Sequence, residues 1–283
     1  MKTLETLVDD MYAVVKGVGG WDKAATEFLS TSIAEVADQR FSKPQEPRRY
    51  LSLSAIGTPC KRKLWYKINK PEVGEELSAE SLGTFFYGDL LEALILALAK
   101  AAGHDVQGSQ DRLDVHGIKG HRDAVIDGVT VDVKSASKFG FEKFKNHRLR
   151  EDDPFGYISQ LSSYVYAGRN DPLVRNKHEG AFLVVQKDRF KLCLDRYDFT
   201  EELKTKEQEI ADTKAMVVGE MPEERLDPVP QSSKSENTKL CTNCSYCEYR
   251  KECWPEARTF LYSTGPVHLV DVVNEPRAPE LIE

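Results

Sequence analysis

Apolar positions at helical spacing organise the first 47 residues into two short amphipathic helices either side of Gly17-Val18-Gly19-Gly20, closed by Pro44 and Pro47. Between Leu53 and Tyr66, Ser or Thr caps precede a short helix that bears Cys60 and the basic triplet Lys61-Arg62-Lys63. A polar connection through Pro71 and an acidic stretch over 72–80 leads to a long helix over about 79–102, ended by Gly103. That helix is apolar on almost every side, which predicts extensive burial. From residue 104 the pattern changes to period two. Arg112–His116, Ile118–Ile126 and Thr130–Lys134 read as strands of a meander, with turns at Gly117 and Asp127-Gly128. Helical spacing returns at 138–148 and 155–168, followed by strands Gly180–Gln186 and Phe190–Asp195 and a charged helix over 200–218. A polar connection from Pro222 to Lys239 precedes a cysteine cluster, a short helix near 255–262 and an acidic tail from Gly265. This order of elements predicts an α/β fold with a mixed β-sheet between helices.

The 283 residues suffice for one large domain with appendages, or for two. With 40% hydrophobic and 30% charged residues, disorder along the whole chain is excluded. The 39 basic and 46 acidic residues leave a net charge of −7, so nucleic acid can be met only by a local basic surface. No apolar run approaches the roughly 18–20 residues of a bilayer span, since Glu92 interrupts Leu90–Ala99. Asp9 and Asp10 stand where a signal peptide would be apolar. A cytoplasmic setting without a membrane partner is therefore expected. In that setting the six cysteines are thiols or metal ligands rather than disulfides. Four of them, Cys241, Cys244, Cys247 and Cys253, fall within thirteen residues, whereas Cys193 sits in a strand pattern as a packed apolar residue.

Alternation along Thr130–Lys134 places Asp132 and Lys134 on one face and Val131 and Val133 on the other. Asp123, on the preceding antiparallel strand, falls beside Asp132, and two facing carboxylates repel unless a cation or proton separates them. Oxygen ligands of this kind suit Mg²⁺ or Mn²⁺. The alternative is a half-exposed hairpin with solvated charges. Glu92, the single charge in its apolar stretch, needs a cation, a proton or a strong donor if buried. The alternative there is a neutral Glu at a solvent-facing edge. Gln160 and Tyr164 are four residues apart on a helix and share a face. Lys138, Lys143, Lys145 and Arg148 form a basic stretch with Phe139, Phe141 and Phe144 between them, a composition suited to DNA or equally to a solvated amphipathic helix with Phe in the core.

Taken together, these residues and their order resemble the RecB-like branch of the PD-(D/E)xK nuclease superfamily over about residues 52–253. The resemblance implies a restriction-endonuclease-like core in which Glu92, Asp123 and Asp132 bind metal. It assigns Asp123, Asp132, Lys134, Gln160 and Tyr164 to catalysis. Cys244-x-x-Cys247-x₅-Cys253 is similar to the C-terminal cluster of CRISPR-associated fourth-family Cas nucleases, AddB-type nucleases and their phage relatives. In those proteins a cysteine from a Cys-x-Arg-x-x-x-Tyr-like helix, here Cys60 to Tyr66, completes a 4Fe-4S cluster, which forms a cap joining the N- and C-terminal segments. Cys241 offers a local fourth ligand instead, and such a set also suits Zn²⁺. The implied organisation is a helical extension over 1–50, a nuclease domain over 51–262 and an acidic tail over 263–283. The implied function is a metal-dependent DNA exonuclease, bacterial or from phage-infected cells. It would serve recombination, repair or CRISPR adaptation, with DNA and a recombination, single-strand-binding or CRISPR-adaptation protein as partners. The competing readings are a non-catalytic DNA-binding or assembly protein on the same scaffold, and an electron-transfer protein built on the cysteines.

Overall fold

The computed structural model describes residues 2–42 and 49–282. Helices are α1 (Leu7–Val15), α2 (Lys23–Phe41), α3 (Lys61–Asn69), α4 (Ala79–Ala101), α5 (Lys138–Lys145), α6 (Tyr157–Gly168), α7 (Thr200–Val218), α8 (Thr242–Ser245) and α9 (Arg250–Cys253). Strands are β1 (Val106–Gln107), β2 (Arg112–Val115), β3 (Ile118–His121), β4 (Ala124–Ile126), β5 (Val129–Ala136), β6 (Glu179–Gln186) and β7 (Leu192–Asp198). They continue as β8 (Val229–Pro230), β9 (Thr238–Lys239), β10 (Arg258–Tyr262), β11 (Gly265–Leu269) and β12 (Glu280–Leu281). The chain divides into one unit of Met1–Glu46, Leu51–Gly57 and Ser78–Ala211, and another of Pro47–Tyr50, Thr58–Leu77 and Asp212–Glu283. This division differs from the expected 1–50, 51–262 and 263–283. The proposed closing prolines, Pro44 and Pro47, lie outside the described residues.

The first unit is built on a mixed sheet in the order β1-β4-β5-β6-β7, flanked by helices, as the pattern predicts. Only β5 and β6 run parallel; the other neighbours are antiparallel. Residues 180–186 of β6 are all buried, which explains their near-continuous apolar run. Val131 and Val133 join Leu7, Met11, Leu91, Ile95 and Leu98 in the core on one face, so α1 belongs to this core and is not an appendage. Phe141, Phe144, Leu161 and Val165 pack with Phe182 and Val184 in a second core. Asp132 pairs with Phe182 and Lys134 with Val184 across β5 and β6, so both charges stand on the face of that second core.

Two expectations change in this unit. Ile118–Ile126 is not one strand, because it breaks at Arg122-Asp123 into β3, which forms a hairpin with β2, and β4, which joins the main sheet. The break is held by Arg122, whose guanidinium is 1% exposed and lies 2.8 Å from Asp111 and 2.6 Å from Asp171. In α4 only the second half is buried; Leu82, Phe85 and Tyr87 are exposed. The helix is long and apolar enough to cross a membrane by length and composition, beyond what the interrupted run suggested, and its buried half packs into the first core. Gly103, at φ +81°, ends it as expected, with the His104 amide donating to the Ala99 carbonyl.

In the second unit a small antiparallel sheet runs in the order β12-β10-β11-β9-β8. Here the expected helix near 255–262 is the strand β10, hairpin-paired with β11 through a turn into Gly265 at φ +116°. Aromatic and β-branched residues in Arg258-Thr259-Phe260-Leu261-Tyr262 suit a pleated surface better than a helix, and Phe260 is buried. The expected acidic tail is ordered as β11 and β12, and its Glu275 and Glu280 close on Arg258 at 2.7 and 2.5 Å.

A Cβ on Gly180 would lie 2.9 Å from both Leu161 Cγ and Val165 Cγ2. Gly180→Ala is therefore expected to destabilise the first unit by about 1–3 kcal/mol, read from urea melts, by overpacking the seam between α6 and β6.

Candidate functional site

The acid–lysine set comes together in the first unit where β5, the β3–β4 break, α4 and α6 meet. Asp123 precedes β4 rather than lying within it, and its Oδ2 accepts a 2.7 Å hydrogen bond from the Val133 amide, which locks it beside Asp132 as the register predicted. Lys134 Nζ lies 2.7 Å from Asp132 Oδ2 and donates to Gln160 Oε1 at 3.3 Å. The buried Asp132 oxygen is held by this ion pair with Lys134. Tyr164 lies one helical turn on from Gln160 and is pressed against Gly120, where a Cβ would come within 3.1 Å of its ring and 2.7 Å of Leu53. Glu92 enters from α4 and accepts a 2.6 Å hydrogen bond from Gln110, which stands at φ +57°.

Charge in this pocket is strongly coupled. Burial pushes the Glu92 carboxyl up to about 7, and repulsion from Asp132 and Asp89 adds to it against the Gln110 hydrogen bond. Burial also raises Asp123 well above the usual carboxylate range, helped by the charges of Glu92 and Asp132. Burial opposes the Lys134 charge, yet Asp132 and Asp123 outweigh it and hold this ammonium above its ordinary pKa. Lys134 is thus a fixed cation and hydrogen-bond donor in the metal-free pocket. Tyr164 is pushed up to about 12, mainly by burial, and stays a neutral donor.

Three contributors escaped the sequence reading. Tyr157 lies with its ring 4.9 Å from Lys134 Nζ, Gln110 holds Glu92, and Asp153 accepts from the Tyr157 and Ile158 amides at 2.9 and 2.8 Å to anchor the start of α6. Only Asp153 had a legible signal, an acid just ahead of a helical run.

The basic stretch is less available than expected. Lys143 pairs with Asp152 at 2.6 Å and Arg148 with Glu151 at 3.3 Å, while Lys138 and Lys145 are exposed. Phe141 and Phe144 belong to the core, leaving Phe139 as the exposed ring of the three.

In the second unit, Cys60, Cys244, Cys247 and Cys253 line one pocket; Cys241 is not part of its wall and lies beside Cys244. Cys60 is itself the N-cap of α3, accepting from the Lys63 amide at 3.4 Å, in place of the expected Ser or Thr cap. The Tyr66 and Tyr249 rings stack 5.4 Å apart, and Lys63 pairs with Glu248 at 3.0 Å. Burial raises the Cys244 and Cys253 thiols and pushes Cys247 up to about 11. Cys193 is half-buried against the second core of the first unit, and burial pushes its thiol up to about 12.

No group of three or more His, Cys, Asp or Glu side chains among the described residues is arranged to hold a metal ion. The donor chemistry nevertheless fits. The buried, mutually repelling carboxylates suit a hard divalent cation, and four thiols facing one pocket suit an iron–sulfur cluster or zinc.

No protein-family profile matches the chain, and no curated protein does. A solved structure described as the crystal structure of SSO0001 is similar at 15% identity and a TM-score of 0.40, over 79% of this chain and 93% of that one.

Glu92 keeps in the folded chain a proton that the unfolded chain loses at its usual 4.5, so metal-free stability should fall as pH rises from 4.5 through about 7. Thermal melts in chelator should show this decline, and Mg²⁺ or Mn²⁺ should raise the melting temperature at pH 8 but not at pH 5. In Glu92→Gln the decline should flatten; an unchanged slope would remove Glu92 from the buried acid set.

Proposed function

We propose that the chain is a divalent-metal-dependent DNA exonuclease of the RecB-like PD-(D/E)xK type, hydrolysing phosphodiester bonds at DNA ends. The reading rests on one arrangement, the Lys134 ammonium fixed between Asp132 and Gln160 in a pocket shared with Asp123 and Glu92. Glu92, Asp123 and Asp132 would hold Mg²⁺ or Mn²⁺, which when bound acidifies water and stabilises the charge developing at phosphorus. Lys134 donates a hydrogen bond to the attacking water oxygen or a phosphoryl oxygen and keeps its own proton. Gln160 fixes the direction of that ammonium through its Oε1, and Tyr164 lies one helical turn on along α6. The Asp123 bond to the Val133 amide keeps the acids in register with β5 while the strand is bound. As the new P–O bond forms, the attacking water gives up a proton to solvent, the bond to the deoxyribose oxygen breaks, and that oxygen takes a proton from solvent. Lys138 and Lys145 offer charge to DNA phosphates. Lys143 and Arg148 reach them only by leaving their carboxylate partners.

Cys60, Cys244, Cys247 and Cys253 would hold a 4Fe-4S cluster, with Zn²⁺ as the alternative occupant; the pocket wall favours Cys60 over Cys241 as the fourth ligand. A cytoplasmic role in recombination, repair or CRISPR adaptation, with DNA and a protein of those pathways as partners, accompanies this reading. A non-catalytic DNA-binding scaffold is the second reading, favoured by one observation: the carboxylates do not converge on a common ligand point.

End-labelled single- and double-stranded DNA, linear and circular, should separate the two. The first reading expects metal-dependent digestion of linear DNA with circles spared; binding without cleavage in Mg²⁺ or Mn²⁺ supports the scaffold. Asp132→Ala or Lys134→Ala should lower turnover by a factor on the order of 10²–10³ without loss of folding. Cys60→Ala in anaerobically purified protein should lose iron and sulfide, while Cys241→Ala keeps them; the reverse result would assign Cys241.

A further inference from the structure

Two buried N–H groups of residues that line the cysteine pocket make no regular hydrogen bond, and the groups they act on there are thiols. One is Nε1 of Trp254, a residue 6% exposed; the other is Arg62 Nε. Both residues line the pocket with the four cysteines. Buried donors are almost always satisfied, because losing water without a replacement acceptor is costly. Neither group is loosely placed. Arg62 Nη1 donates to the carbonyls of Pro222 and Glu223 at 3.1 and 3.2 Å, which anchors the guanidinium. The Arg225 guanidinium lies 3.9 Å over the Trp254 ring and is itself tied to the Cys253 carbonyl at 2.9 Å and to Glu256 at 2.8 Å. The indole is thus held from behind.

The acceptors these donors act on are sulfur atoms, Cys244 for the indole and Cys253 for the guanidinium. A thiol is a weak acceptor, whereas a metal-bound thiolate or sulfide carries negative charge and accepts well. Cys60 already shows this pattern, taking the Lys63 amide at the start of α3.

We propose that Trp254 and Arg62 are positioning residues of the metal–thiolate centre, donating Nε1–H and Nε–H to its sulfurs and so setting its reduction potential. The inference rests on the reading of Cys60, Cys244, Cys247 and Cys253 as metal ligands. N–H···S hydrogen bonds stabilise the more negative, reduced state of a cluster, so these donors raise its potential.

The test uses the full chain, purified anaerobically. Trp254→Phe keeps the ring and removes the N–H, and Arg62→Lys keeps the charge and removes Nε. Each should retain iron and sulfide near the wild-type ratio while the midpoint potential, read by dithionite titration with electron paramagnetic resonance, shifts negative. An unchanged potential in both overturns the inference. A variant that loads iron poorly is read with Co²⁺, whose thiolate charge-transfer bands should shift from those of the wild type; unshifted bands overturn it. Wild-type protein that takes Co²⁺ but no iron–sulfur cluster removes the cluster from the proposed function and leaves the donors to be judged on those bands. Wild-type protein that takes neither iron nor Co²⁺ through its cysteines overturns the ligand reading itself.

Discussion

Glu92, Asp123 and Asp132 share a buried space with one ammonium, and most of the structure around the candidate site follows from that imbalance of charge. One lysine cannot neutralise three carboxylates. The fold answers by raising the pKa values of Glu92 and Asp123, and with hydrogen bonds to them from Gln110 and the Val133 amide. These are costly devices for a region whose only task is packing. A polar pocket of this kind is usually replaceable by apolar side chains at no loss of stability, so its presence points toward function.

The pocket is rigid where it matters. Asp123 is tied to the backbone of the strand that carries Asp132 and Lys134, and β5 is itself clamped between β4 and β6. Gly120 leaves room for Tyr164, one helical turn on from Gln160, which takes the Lys134 hydrogen bond. Geometry therefore passes from the sheet to the acids and from α6 to the lysine.

The second unit uses different physics for the same end. Its small core of Leu240, Cys244 and Trp254 is thin, and segments far apart in the chain are joined there by stacking of Tyr66 on Tyr249 and by Glu75 with Arg250 at 3.1 Å. A small apolar core with half-buried thiols gains from a ligand that crosslinks them, which is how metal binding becomes folding energy.

Much of this was legible in the chain itself. Period-two alternation put Asp132 and Lys134 on one face and Val131 and Val133 on the other, and the spacing of Gln160 and Tyr164 placed them together on α6. These are local properties, set by the repeat of the backbone. The break at Arg122-Asp123, the strand β10 and the ordering of the acidic C-terminal segment were not legible. Each depends on partners distant in sequence: Asp171 for Arg122, β11 and β12 for β10, and Arg258 for Glu275 and Glu280. The same holds for the fate of the basic stretch, since whether a lysine meets solvent or Asp152 is a matter of what folds beside it. Sequence alone determined which residue types lie at which spacing; only tertiary structure decided which charges are buried together, because burial and pairing are properties of neighbours in space.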